Sequence, residues 1–137
     1  SIVFSFVFSI AAIIQYYKSE AGKANQYEYL QNKFRDFDVN GVVWASNPII
    51  AASSDKKITE LMYYPVFERE KKEKLLMKIS RNDAPDFIFL DSCDLECRPN
   101  DKACADSRQE LLNSLKQKLK TAAHLINRGC EQMILRK

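Results

Sequence analysis

The sequence predicts an α+β protein in which an N-terminal membrane helix precedes a small sheet with helices packed on one side. Three observations support this prediction: an uncharged opening, alternating strand-like and helix-like segments, and an amphipathic C-terminal stretch. The 137 residues, 46% of them hydrophobic, suffice for one domain and argue against extensive disorder. The net charge of +3 is too balanced to indicate a nucleic-acid partner, and we expect none.

The opening segment, residues 1–18, is predicted to be a transmembrane helix. Residues 1–17 carry no charged side chain. As a helix they would be about 25 Å long, a little short of a hydrocarbon core of about 30 Å. We therefore expect residues upstream of Ser1 to complete the span. Tyr16, Tyr17 and Lys18 suit the membrane interface, which makes lipid the first expected partner.

Small side chains recur along one face of this predicted helix. A stripe of this kind lets helix backbones approach closely in lipid, so the face is a candidate for helix packing. Its members are Ser1, Ser5, Ser9 and Ala12. We therefore expect an oligomer or a complex subunit.

Two alternatives for the opening segment remain. It has the apolar character of a signal-peptide core, although no basic region precedes it. Its first ten residues also alternate as in a buried strand, with Ile2, Phe4, Phe6, Phe8 and Ile10 on one face.

Residues 19–38 are predicted to form a juxtamembrane helix, because Tyr27, Leu30, Phe34 and Phe37 recur at helical spacing. The Asn40-Gly41 pair is a turn signal that ends it. Residues 39–137 are then predicted to form an extracytoplasmic α+β domain.

The first half of that domain reads as strands followed by a helix and another strand. Residues 42–45 and 49–52 have the composition of two strands joined as a hairpin, and 58–64 of a third. Charged residues with interspersed apolar ones predict a helix over 66–80, and 86–90 predicts a strand.

The second half is predicted to be one long helix over 105–128 with a short final strand at 133–135. Ser107 and Glu110 have capping-box spacing, and Gly129 suits a C-terminal cap. An apolar stripe runs along this stretch, comprising Leu111, Leu112, Leu115, Leu119, Ala122 and Ile126.

The four cysteines are predicted to form two disulfides, which indicates an oxidising, periplasmic or otherwise extracytoplasmic compartment. They are Cys93, Cys97, Cys104 and Cys130. Their spacing is not a recurrent zinc pattern, and four reduced thiols are the alternative. A straight helix over 105–128 would be about 36 Å long and would exclude a Cys104–Cys130 bond. Two connectivities remain open: Cys93–Cys104 with Cys97–Cys130, or Cys97–Cys104 with Cys93–Cys130.

No catalytic constellation, cofactor site or metal site is predicted. His124 is the single histidine, and the sequence nominates no orienting partner for it as a general base. Four acids that flank the cysteines are candidate ligands of a hard cation: Asp91, Asp94, Glu96 and Asp101. Because no calcium-loop pattern surrounds them, we interpret them as solvated.

The layout of an apolar span followed by a cysteine-containing domain resembles the T4-type phage holins. The matching strings are Tyr16-Tyr17-Lys18 after the span and residues 122–128, which look like that family's terminal helix. The resemblance implies a membrane lesion gated by a periplasmic sensing domain.

From the residues themselves we expect a non-catalytic, single-pass membrane protein whose extracytoplasmic domain binds other envelope proteins. The alternatives are the holin-like gating protein and a soluble enzyme whose N-terminal segment is a buried strand.

Overall fold

The computed structural model describes residues 10–16, 18, 26–52, 54–62, 69–81 and 83–137. Three long helices are α1 (Glu28–Asp36), α2 (Arg69–Ser80) and α3 (Lys102–Lys118). Within the described ranges the strands form one sheet in the order β2-β1-β3-β5-β4: β1 (Val43–Ala45), β2 (Glu60–Leu61), β3 (Phe87–Asp91), β4 (Lys120–Asn127) and β5 (Cys130–Arg136). The α+β class is therefore confirmed.

The sheet is mixed because its two halves are connected differently. β1 lies parallel to both β2 and β3, whereas β5 runs antiparallel to β3 and to β4. The parallel strands are joined by crossovers, and β4 and β5 form a hairpin. The hairpin turn is Arg128-Gly129, with φ of 51° and 80°, which is the left-handed geometry of a tight hairpin turn.

Helices cover both faces of the sheet, so the prediction of helices on one side is wrong. α2 and α3 pack on the face that presents Trp44, Ile88 and Leu90. α1 packs on the opposite face, where the Phe34 and Phe89 rings meet edge to face with their centroids 4.8 Å apart. The uninterrupted apolar run of β3 is explained by this arrangement, since a strand buried on both faces needs no polar alternation.

Helix α1 confirms the amphipathic face predicted for residues 27–37. Leu30 and Phe34 are fully buried, and Tyr27 nearly so. The helix ends at Asp36, where the Lys56 ammonium donates hydrogen bonds to the carbonyls of Phe34, Arg35 and Phe37. A cation on the final carbonyls stabilises this end of the helix.

Two sequence-based assignments of secondary structure are wrong. Residues 49–52 do not form a hairpin with 42–45; a 3₁₀ turn, Pro48–Ala51, occupies that place, capped by Asn47. The long helix predicted over 105–128 ends at Lys118, and β4 follows. It also begins earlier, because Asp101 rather than Ser107 caps it by accepting a hydrogen bond from the Cys104 amide.

The predicted membrane helix over 1–18 lies mostly outside the described residues, and so do Ser1, Ser5 and Ser9. Residues 10–16 are helical and all their side chains are exposed, Ala12 included. Within the part of the chain that the structure describes, no helix combines the length and apolar character needed to cross a bilayer.

Candidate functional site

The carboxyl ends of the parallel strands β1 and β3 carry a group of hydrogen-bonded polar side chains, here called the polar cluster. The chain passes from β1 to β2, which lies on one side of β1, and then crosses back to β3, which lies on the other side. The crevice between two strands related in this way is the usual ligand position in open parallel sheets. The cluster consists of Gln26, Tyr27, Ser46, Asn47, Asp91, Asp94 and Gln132.

Asp91 is the buried centre of one half of the cluster. Its carboxylate accepts hydrogen bonds from the Gln132 amide at 2.8 Å, the Gln26 amide at 3.0 Å and the Cys93 backbone N–H at 2.9 Å. Its own backbone N–H donates to the Ser46 hydroxyl at 2.9 Å. Asp91, Ser46 and Gln132 are all fully buried, so the carboxylate is stabilised by donors of this chain instead of by water.

Asp94 is the centre of the other half and lies in the 3₁₀ turn Ser92–Leu95 that follows β3. One oxygen accepts from the Ser46 hydroxyl at 2.5 Å. The other accepts from the Tyr27 hydroxyl and, at 3.3 Å, from the Asn47 amide. Ser46 therefore joins the two halves, because it donates to Asp94 and accepts from the backbone of Asp91.

Burial raises the pKa values of both Asp94 and Tyr27, the two titrating groups that contact each other. Loss of solvation raises the pKa of Asp94, and the nearby Asp91 charge adds to the shift, although the hydrogen bonds from Ser46 and Tyr27 oppose it. Burial and the contact with Asp94 raise the pKa of the Tyr27 phenol well above its usual range. The phenol therefore stays protonated at physiological pH and acts as a hydrogen-bond donor.

The oxygens of both carboxylates are engaged by donors within the domain. This arrangement fixes α1, β1, β3 and β5 relative to one another. One atom stands apart: the Gln132 Oε1 is buried without a hydrogen-bond partner among the described residues. The cluster is thus suited to hold these elements in place.

The four cysteines form two disulfides, Cys93–Cys130 and Cys97–Cys104. This is one of the two connectivities left open by the sequence. The helix length that was expected to exclude Cys104–Cys130 is not present, because α3 ends at Lys118 and not near residue 128. Cys93–Cys130 ties the turn after β3 to the start of β5, beside Asp91.

Asp91, Cys93 and Cys130 also place their possible ligand atoms within 4.8 Å of one another. The two sulfurs are bonded to each other, and a disulfide sulfur lacks the thiolate charge that binds metals. The disulfide therefore accounts for this grouping.

The four acids that are candidate cation ligands do not converge on one point. Asp91 and Asp94 belong to the polar cluster, Asp101 caps α3, and Glu96 is exposed. The interpretation of solvated loop acids is therefore wrong for Asp91, which is fully buried. Polar residues that follow two buried strands were the available signal, and the mistaken hairpin over 42–52 hid it.

His124 lies on β4, not on the polar side of a helix. Its Nε2 is 3.1 Å from a Glu131 carboxylate oxygen, which the Lys116 ammonium also contacts at 2.6 Å. The contact with Lys116 lowers the pKa of Glu131, with a smaller contribution from His124. This exposed group links α3 to the hairpin.

Comparison with known proteins identifies no relative: no family model, curated protein or solved structure matches the chain. The fold and the polar cluster define a disulfide-bonded α+β domain with helices on both faces of a mixed sheet. The residues 122–128, which resemble the terminal helix of the T4-type holins, form most of β4 and its turn in this structure.

Proposed function

We propose that this chain is a non-catalytic, single-pass membrane protein whose extracytoplasmic domain binds other proteins in an envelope-associated assembly. One observation carries the proposal. Residues 10–16 form a largely apolar helical segment whose side chains are exposed, with Ile10, Ile13 and Ile14 each about half exposed. Apolar side chains in such a row favour a lipid or protein environment over water.

The two disulfides support the extracytoplasmic part of the proposal. Disulfides persist in oxidising compartments and are rare where glutathione keeps thiols reduced. All four cysteines are paired. A domain outside the cytoplasm gains stability from these covalent links, because it is exposed to proteases and has no cytoplasmic chaperones to protect it.

The polar cluster supports a positioning role rather than a reaction. Gln26 and Tyr27 lie at the beginning of α1, the first described helix after the apolar segment, and both are hydrogen-bonded to acids at the end of β3 or just beyond it. The cluster thus holds α1 rigidly on the sheet. A rigid link of this kind gives a membrane-attached domain a defined surface to present to a partner.

Membrane attachment is tested by expressing the full chain and extracting the membrane fraction with alkaline carbonate. We expect the protein to stay in the pellet. An Ile10→Glu/Ile14→Glu variant should move to the supernatant, because charges in the segment oppose insertion. A Glu28→Gln/Arg35→Gln variant, which changes two exposed side chains of α1, is the control and should stay in the pellet.

Release of the unmodified chain into the supernatant would contradict the proposal. Partner binding is tested separately by chemical cross-linking in the intact envelope followed by mass spectrometry. The proposal predicts discrete cross-linked species that form through the domain. The holin-like alternative stays a prediction, and timed permeabilisation on expression would support it.

A further inference from the structure

Strand β4 forms one edge of the sheet. It is eight residues long and pairs with β5 on one side. Six of its eight side chains are exposed, on both faces of the sheet. β2, at the opposite edge, has only two residues. A long edge strand presents unpaired backbone groups that another strand can complete.

Hairpin geometry determines which backbone groups face outward. The two-residue turn makes Asn127 and Cys130 the closing hydrogen-bonded pair. Hydrogen bonding alternates along an antiparallel pair, so the peptide groups of Ile126 and His124 point away from β5. They lie between the turn and an irregularity in the register at residues 121–123. Among the described residues no strand pairs with them on the outer side.

This stretch lacks the usual protection of an exposed edge. Edge strands are commonly guarded by charged side chains or proline. Residues 123–127 contain neither Asp, Glu, Lys, Arg nor Pro. Instead Leu125 is 39% exposed and Ile126 is 68% exposed. The edge is therefore both apolar and open along its central part.

We propose that β4 pairs antiparallel with β4 of a second copy, about a two-fold axis that passes beside Leu125. In this register the outward-facing His124 of each copy lies opposite Ile126 of the other, so the backbone hydrogen bonds are matched. Each Leu125 faces its own counterpart, and Ala123 faces Asn127. The two sheets become one continuous sheet of ten strands, and the exposed apolar side chains of both copies are covered.

Charge decides between this register and its neighbour. A two-fold axis through His124 also matches the hydrogen bonds, but it places Lys120 opposite Arg128. Like charges directly across two strands are destabilising. With the axis at Leu125, Arg128 lies opposite Ala122 instead. An axis at Ile126 leaves a shorter overlap because the turn begins at Arg128.

This inference deepens the proposed function by naming a second copy as one partner, but it does not depend on membrane attachment. The test uses the full chain in detergent and a Leu125→Cys variant under mild oxidation. Leu125 and its counterpart form a non-hydrogen-bonded antiparallel pair. The Cα atoms of such a pair are about 4.5 Å apart, which suits a disulfide. We expect a covalent dimer.

Thr121→Cys is the matched control, because it is exposed on the same strand but its two copies would lie about 27 Å apart in this register. It should form no covalent dimer on oxidation, although the non-covalent pairing persists. A Leu125→Lys variant should weaken self-association about tenfold in sedimentation, since two like charges then face each other at the axis. Thr121→Lys should leave it nearly unchanged.

Equal or faster cross-linking of Thr121→Cys, or a wild-type chain that stays monomeric at high concentration, would overturn the pairing. Either result leaves the proposed function standing if the chain remains in carbonate-washed membranes and still forms cross-links to other proteins. Conversely, a dimer through Leu125 in a chain released from membranes would retain the pairing and reject the attachment.

Discussion

The Tyr27 hydroxyl donates a hydrogen bond to the Asp94 carboxylate and thereby joins the start of α1 to the turn after β3. The two residues are 67 positions apart in sequence. Because Tyr27 also accepts from the Asn47 amide at 3.0 Å, its hydroxyl connects three elements of the domain.

Tyr27→Phe removes this link without changing the packing of the ring. We expect it to lower the free energy of unfolding at neutral pH by about 1–2 kcal/mol, the usual cost of leaving a buried polar group with one donor fewer. Denaturant unfolding measures the change. Tyr29→Phe on the same helix, whose hydroxyl lies outside the polar cluster, should be nearly silent. Equal losses from the two variants would contradict a specific role for Tyr27.

The raised pKa of Asp94 predicts a pH dependence of stability. The folded state binds the Asp94 proton more tightly than the unfolded state does, so this group favours folding at low pH. Its contribution is fully present below the ordinary aspartate pKa and is lost as the pH rises through the raised value. Asp94→Asn should remove that component, which is measured by unfolding at a series of pH values. If the Asp94→Asn variant and the unmodified protein show the same pH dependence of the free energy of unfolding, the raised pKa of Asp94 is contradicted.

Glu131 is expected to act in the opposite direction, because Lys116 lowers its pKa. Its contribution to stability is present above the ordinary glutamate pKa and is lost as the pH falls through the lowered value. Glu131→Gln should therefore destabilise the protein at neutral pH and have less effect in acid. Glu110→Gln on α3 provides a comparison away from β5. A loss that is as large in acid as at neutral pH would contradict the ion-pair account.

The two disulfides should differ in their effect on stability. Cys93–Cys130 spans 37 positions and Cys97–Cys104 spans 7. The chain-entropy relation gives about 4 kcal/mol for the longer loop and about 2 kcal/mol for the shorter one. Paired replacement of each couple by alanine, followed by thermal unfolding, measures the difference. A larger loss from Cys97→Ala/Cys104→Ala would contradict this order.

Gly41 and Gly129 offer a matched comparison of backbone strain and crowding. Both have positive φ, 93° and 80°. A Cβ at Gly41 would lie 2.1 Å from the Asp86 carboxylate, whereas one at Gly129 would meet nothing within 4 Å. Gly129→Ala should cost about 1 kcal/mol from conformation alone. Gly41→Ala should cost more, because the Asp86 carboxylate accepts from the Val42 amide and would have to move. The unfolding midpoints of the two variants measure this difference, and an equal or smaller loss for Gly41→Ala would contradict the crowding by Asp86.

The sequence predicted the elements whose apolar pattern admits a single structure. The buried face of α1 and the run 87–90 are of this kind. It did not predict β4, because Leu115, Leu119, Ala122 and Ile126 continue a helical spacing that the strand does not use. Gly129 fits a helix cap and a hairpin turn equally well, since both need positive φ. The hairpin is stabilised by pairing with β5, a long-range contact that a local pattern does not contain.

The polar cluster was not predicted from the sequence, for a related reason. Ser46, Asp91 and Gln132 are separated along the chain and meet only because β1, β3 and β5 are neighbours in the sheet. Once 49–52 is assigned to a strand paired with 42–45, Ser46 and Asn47 become part of a hairpin turn. The pairing of Cys93 with Cys130 depends on the same neighbourhood, which explains why two connectivities stayed open.

Thiol labelling of carbonate-washed membranes tests the central claim most directly. The membrane pellet is treated with a mass-adding maleimide, with and without prior reduction, and the full chain is then sized on a gel. The account predicts that the chain is in the pellet, unlabelled without reduction and labelled at four cysteines after it. A chain found in the supernatant, or one that takes four labels without reduction, would contradict it.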